Sequence, residues 1–270
     1  MREFDGKVAF ITGGASGIGF ALARAFGRAN MRVMLADVEA DALKSAVAEL
    51  QRDGIDARGV ECDVADYNSV QRAAAETLSA FEKVHLLCSN AGVVAGGPME
   101  IISMGDWEWV LGVELMSVIY GIKAFLPQIK AQGEGGHIVS VGSMAGMLCV
   151  PGAAPHNVAK FGVVALSETL AAELAGSSIG VSMVCCSFVR TRIDSSARNR
   201  PERYGQRTEA SAAADAQLAA LVRSGREPDE IAEKTMRGIR DNELYIFTHP
   251  ELRSILEDRF QRILAAYPKT

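Results

Sequence analysis

The sequence predicts a doubly wound α/β protein, with a parallel sheet covered by helices on both faces. Three observations carry that expectation. Short runs rich in Val, Ile and Leu alternate with longer amphipathic segments along the chain, as in sheets whose strands are buried on both faces. The alternation is strict, which favours one interleaved fold over separate helical and strand domains. With 270 residues and 49% hydrophobic content, the chain can fill one well-buried core. Residues 1–270 therefore read as a single domain.

The predicted elements follow in order. An apolar strand over residues 8–12 runs into the glycine-rich segment Thr12-Gly13-Gly14-Ala15-Ser16-Gly17-Ile18-Gly19, and a helical pattern continues over 18–29. Strands at 32–36, 57–62 and 84–89 alternate with helical patterns at 40–53, 69–81 and 107–131. A strand at 137–141 precedes a helix at 157–175, and further strands read at 181–186 and 244–247. Two segments break the rhythm. Residues 92–97 form a glycine-rich loop after the fourth strand, and residues 187–226 form a long excursion carrying Arg190, Arg192, Arg198, Arg200, Arg203 and Arg207. Excursions of that length in a compact domain are lids or disordered segments. As a substrate lid its arginines would attract an anion, but solvated surface is the simpler reading.

Composition narrows the function class. A net charge of −5 argues against nucleic-acid or polybasic membrane-binding surfaces. No apolar run reads as long enough to span a bilayer, and the N-terminus lacks a signal-peptide core. Cys62, Cys88, Cys149, Cys185 and Cys186 are scattered without a Cys-x-x-Cys pair, and the histidines have no ligand spacing, so no metal or disulfide framework is indicated. The expectation is a soluble cytoplasmic protein acting on a small molecule.

The chemistry-bearing residues follow the strands. Gly13, Ser16, Gly17, Ile18 and Gly19 lie in a strand–loop–helix context, where glycines permit a tight turn and the helix N-terminus offers free amides to a pyrophosphate. Asp37, at the end of the second strand, suits the ribose hydroxyls of an adenosine and repels a 2′-phosphate, favouring NAD over NADP. Asp63-Val64 and Asn90-Ala91-Gly92 follow the third and fourth strands, where ligands bind in such sheets. Ser143 ends the fifth strand, and His156 and Lys160, four apart on a helix, share a face. A hydroxyl, an imidazole and an ammonium beside a cofactor cleft suggest proton transfer coupled to redox chemistry.

Together these segments resemble the short-chain dehydrogenase/reductase family from about residue 7 to residue 247. The resemblance implies a seven-stranded Rossmann sheet, a bound nicotinamide cofactor and a homodimer or homotetramer. It implies that the glycine loop, Asp37, Asp63-Val64 and Asn90-Ala91-Gly92 bind the cofactor. Ser143 would polarise the substrate oxygen, Lys160 would bind the nicotinamide ribose, and Val189 and Thr191 would contact the carboxamide. The run from Tyr245 to Pro250 is similar to bacterial members acting on aromatic, alicyclic or steroid-like alcohols.

Three departures cluster in the catalytic region. His156 stands where the family has tyrosine, Glu114 where it has asparagine, and Cys186-Ser187 where it has Pro-Gly. An imidazole, with an ordinary pKa of about 6.5, can serve as a base at neutral pH. It is also shorter than a phenol, and misplacement by about 1 Å can cost on the order of 100-fold. His156 is thus either the proton-exchanging group of an NAD-dependent alcohol dehydrogenase or ketone reductase, or a space-filling replacement. Glu114 either pairs with Lys160, the simpler reading, or completes a Ser143–His156–Glu114 array for non-redox chemistry such as hydrolysis, dehydration or retro-aldol cleavage. A catalytically silent NAD-binding protein is the remaining alternative. Cys186 reads as a small buried hydrophobe rather than a reactive thiol.

Overall fold

The computed structural model of the chain describes residues 1–207 and 209–268. Seven parallel strands lie in the order β3-β2-β1-β4-β5-β6-β7: β1 Val8–Thr12, β2 Arg32–Asp37, β3 Ala57–Glu61, β4 Leu86–Ser89, β5 Gly136–Val141, β6 Ile179–Cys185 and β7 Tyr245–Phe247. β1, β4 and β5 are buried along their length, whereas edge strand β3 exposes Arg58, Gly59 and Glu61. The order reverses between β1 and β4, and the crevice outside the carboxyl ends at such a reversal is where open α/β sheets bind ligands.

The helices are α1 Gly17–Arg28, α2 Ala40–Arg52, α3 Tyr67–Phe81, α4 Met104–Leu111, α5 Ser117–Ala131, α6 Ala154–Glu173, α7 Glu209–Arg223, α8 Pro228–Asp241 and α9 Arg253–Ala265. They cover apolar cores on both sheet faces, and two of these are large. One gathers Leu22, Phe26, Leu35 and Ile231, and the other gathers Phe10, Phe81, Trp109 and Phe125. α1 shows the logic. Its buried side, Leu22 and Phe26, contributes about 1.5–3 kcal/mol for each large side chain. Several helix starts lie upstream of the predicted ones because polar caps precede the apolar pattern. Asp66 caps α3 by accepting the Asn68 amide, and Ser103 with Asp106 forms a reciprocal capping box at α4.

Two expectations are corrected here. Residues 104–131 carry an 18-residue window of mean hydropathy 1.6, so a run long and apolar enough to cross a bilayer does exist. That run contributes Trp109, Val110, Phe125 and Ile129 to the core and packs against α3 and β4. It is also not one regular helix, since the segment Gly112–Met116 between α4 and α5 is a π-helical turn. The arginine-rich excursion is not merely solvated surface. It contains short 3₁₀ segments at Ile193–Asn199 and Glu202–Tyr204 before α7. Arg200, buried, pairs with fully buried Asp106 at 2.7 Å and lies over the Trp109 ring.

Candidate active site

The carboxyl ends of β1, β2, β4 and β5 open into one cleft of about 1020 Å³. Gly13, Ser16, Gly17, Ile18, Asp37, Asp63, Val64, Asn90, Ala91, Gly92, Glu114, Ser143, His156, Lys160, Val189 and Thr191 all line it. Gly19 does not reach the cleft. It lies beneath the loop, where a Cβ would meet the Gly13 carbonyl oxygen at 2.2 Å.

At the nucleotide end the backbone does most of the shaping. Gly13 and Gly17 adopt φ values of +62° and +56°, which side chains other than glycine's disfavour. Ser16 precedes α1 without making a side-chain cap, so the first-turn amides point to an open cleft. Asp37 accepts the Ala15 amide at 3.0 Å and the Glu39 amide at 3.1 Å, joining the end of β2 to the loop. Its two oxygens retain lone pairs for a further donor. Sequence reasoning missed Thr12, whose Oγ1 accepts the Asn90 and Ala91 amides at 2.9 and 3.0 Å. Asn90 returns its Nδ2 to the Thr12 carbonyl at 2.8 Å. A hydroxyl at the last position of β1, beside a glycine loop, is the signal that identifies it.

Asp63 is more engaged than expected. One carboxylate oxygen accepts the Ala65 amide at 2.9 Å and the other meets Arg203 at 3.0 Å. Val189 is buried and forms an isolated parallel bridge with Arg226, and Thr191 abuts Gly17, where a Cβ would lie 2.9 Å from Thr191 Cγ2. The loop after β6 thus closes against the glycine loop.

The catalytic end is built from side chains. The π-helical turn carries Glu114 into the interior, where its side chain is 0% exposed. Glu114 Oε2 is 2.7 Å from His156 Nδ1 in the first turn of α6, and Oε1 is 3.6 Å from Lys160 Nζ. The preference for a Glu114–Lys160 pair alone is therefore corrected: the carboxylate bridges both groups, with the imidazole the nearer. Gly92 leaves room for it, since a Cβ there would stand 3.2 Å from Glu114 Oε1. Burial opposes ionisation of Glu114, but the charges of His156 and Lys160 outweigh it and hold the carboxyl below its ordinary pKa. An ionised carboxylate only accepts, so His156 Nδ1 carries the hydrogen and the opposite ring nitrogen of the neutral imidazole is the basic one. Lys160 also donates to the Val141 carbonyl at 3.1 Å. Ser143 Oγ accepts the Ala145 amide at 3.0 Å, so its own hydrogen remains to be offered to the cleft.

Cys186 is buried with Sγ 3.6 Å from the Gly142 carbonyl, and burial pushes its thiol up to about 11, consistent with an inert packing role. The neighbouring Ser187 amide donates to Nδ1 of buried His249 at 3.1 Å, a contact that sequence spacing does not reveal. Arginines of the excursion after β6 reach the rim: besides Arg203, Arg198 grips Glu39. Among the described residues, no group of three or more His, Cys, Asp or Glu side chains is placed to hold a metal.

Residues 7–202 match the short chain dehydrogenase family. The chain is 40% identical over 269 residues to C alpha-dehydrogenase of Sphingobium sp. strain SYK-6, covering 98% of this chain and 87% of that protein. It is 31% identical over 272 residues to the CLA biosynthesis dehydrogenase/reductase of Lactiplantibacillus plantarum, covering 98% and 95%. A crystal structure of a short chain dehydrogenase/reductase from Burkholderia phymatum in complex with NAD superposes with a TM-score of 0.96 at 41% identity, covering 100% of this chain and 98% of that one. Sequence match, sheet order and cleft agree: this chain belongs to the short-chain dehydrogenase/reductase family of oxidoreductases.

Proposed function

We propose that the chain is an NAD(H)-dependent oxidoreductase interconverting a secondary alcohol and a ketone on a hydrophobic substrate of aromatic, alicyclic or steroid-like shape. The observation that carries this reading is the buried Glu114–His156 contact of 2.7 Å, in the same cleft as the glycine loop and Asp37. NAD fits the nucleotide end on four grounds: the two positive-φ glycines, the uncapped α1 amides, the Asp37 carboxylate and the crevice position. When bound there, its nicotinamide supplies the hydride acceptor or donor.

The chain's own groups divide the remaining work. Glu114 orients His156 through Nδ1, so the ring nitrogen away from Glu114 removes the alcohol proton during oxidation and returns it during reduction. Ser143 donates its hydroxyl hydrogen to the reacting oxygen. Lys160, held by Val141 and Glu114, offers its remaining hydrogens to the nicotinamide ribose. Val189 and Thr191 border the carboxamide position. Val94, Leu148, Phe188, Leu218 and Leu221 line the rest of the cleft, and the last two come from α7, so residues 187–226 serve as the substrate lid. An apolar wall with few polar groups supports a hydrophobic substrate. Homodimeric or homotetrameric assembly accompanies this reading, and light scattering checks it.

The test follows absorbance of reduced nicotinamide across hydrophobic secondary alcohols and ketones. In His156→Gln an amide can still donate to Glu114 but has no basic nitrogen. NAD-dependent turnover that disappears in this variant supports the reading, and unchanged turnover overturns it. The Glu114–His156 contact also favours a second reading, in which Ser143, His156 and Glu114 perform hydrolysis, dehydration or retro-aldol cleavage. Product formed without any change in nicotinamide would establish that one instead.

A further inference from the structure

Residues 192–203 connect the two sides of the cleft through side chains. Buried Ser196 accepts the Val94 amide at 3.1 Å, tying the turn to the loop after β4. Across the opening, Arg198 Nε lies 3.2 Å from Glu39 Oε2 while Nη2 meets Oε1. Asn199 Nδ2 donates to the same Oε1 at 3.0 Å, and Arg192 stands 3.8 Å from Oε2. Further along, Arg203 meets Asp63 at 3.0 Å. Glu39 and Asp63 follow β2 and β3, beside Asp37 on the side expected for an adenosine.

An isolated exposed ion pair contributes little, so its presence alone argues nothing. Arg198 differs because all three nitrogens of its fork are engaged. Two donors grip the Glu39 carboxylate, and Nη1 closes its own turn on the Arg192 and Ser195 carbonyls at 3.0 and 2.9 Å. The guanidinium is thereby a fixed part of the turn, and a planar bidentate contact loses less side-chain freedom than a flexible ammonium would. At the base of the segment, the buried Arg200–Asp106 pair supplies an anchor.

The geometry points to Glu39, Arg198 and Asn199 as a clasp that closes residues 192–203 over the adenosine half of the cleft and governs NAD exchange. This inference rests on the NAD reading above. Glu39 acts as a positioning residue through the lid and need not touch the cofactor. Asp37 meets Glu39 at its backbone amide, a contact that Glu39→Gln leaves in place.

The experiment compares the full chain with Glu39→Gln and Arg198→Lys. It measures equilibrium NAD binding, NAD release by stopped flow, and amide hydrogen exchange of residues 192–203 without cofactor. The expected result for Glu39→Gln is NAD affinity weaker by about 3- to 10-fold, the scale of a small network of partly exposed pairs. Release should accelerate by a similar factor, and exchange should quicken in 192–203 but not in the β1–α1 loop. Arg198→Lys keeps the charge without the fork and should fall between. High salt should bring the unsubstituted protein toward Glu39→Gln. NAD binding and release unchanged in Glu39→Gln, or unaltered exchange in 192–203, would overturn the clasp and leave the cofactor reading intact. If the unsubstituted protein does not bind NAD at all, both fail together.

Discussion

At the nucleotide end of the cleft, Gly13, Gly17 and Gly19 act through what they lack. Backbone carbonyls, Asn90 and Thr191 occupy the space that side chains would fill. At the other end the order is reversed, and Glu114, His156 and Lys160 bring three ionisable groups into one largely buried contact network. Loss of the first arrangement removes shape; loss of the second removes charge and proton chemistry. The first end therefore leaves almost no room for an added atom, whereas the second depends on which charged groups face one another.

Four experiments break or sharpen that contrast. The largest effect belongs to His156→Gln, which should lower turnover by about 10³ while NAD binding stays within about twofold, as for loss of a general acid–base group. Substrate saturation kinetics and direct NAD titration read the two quantities separately. Gly19→Ala should do the opposite. Its Cβ would collide with the Gly13 carbonyl at 2.2 Å, an overpacking that weakens NAD binding by about 100-fold in titration and lowers the melting temperature.

Glu114→Gln should reduce turnover by about tenfold through lost orientation of His156. It also carries a pH signature. Because the Glu114 carboxyl titrates below its ordinary value in the folded chain, its ionised form stabilises the fold at neutral pH. That contribution is present above the ordinary carboxylate range and is lost as pH falls from that range through the lower folded value. Melting curves between about pH 6 and pH 3 should therefore decline less steeply in Glu114→Gln than in the unsubstituted chain. The smallest effect concerns the thiols. Cys186, pushed up to about 11, and the buried Cys62, Cys88 and Cys185 should resist alkylation at neutral pH, leaving exposed Cys149 to react. Mass spectrometry of the native protein after brief iodoacetamide treatment reads that pattern.

The same contrast explains what the amino-acid order reveals. Glycine spacing after a short apolar run reports backbone shape directly, so the loop at 12–19, Asp37 and the strand sequence were readable. Alternation of apolar runs likewise placed the seven strands, with displaced ends where capping residues, not hydrophobic ones, decide the boundary. The identities of Glu114 and His156 were equally visible, but their contact was not. It joins residues 42 apart in the chain, and the π-helical turn that carries Glu114 was hidden as well, since nothing in Gly112-Val113-Glu114-Leu115-Met116 departs from ordinary helical patterning. The Arg198–Glu39 grip and the buried Arg200–Asp106 pair were hidden for a related reason: each spans a long stretch of sequence, and charge in a polar excursion reads by default as solvated. α9, with no buried residue, gives a pattern too faint for periodicity to find.

The widened turn at Gly112–Met116 also sets a rotational phase. A π turn holds one residue more than an α turn, so every side chain beyond it is set back by about 100° relative to an uninterrupted helix. Upstream, Trp109 and Val110 face the core; downstream, Val118, Gly121 and Phe125 do so. The irregularity thus re-phases the downstream half of the run against the upstream half, and the carboxylate beside His156 sits within it.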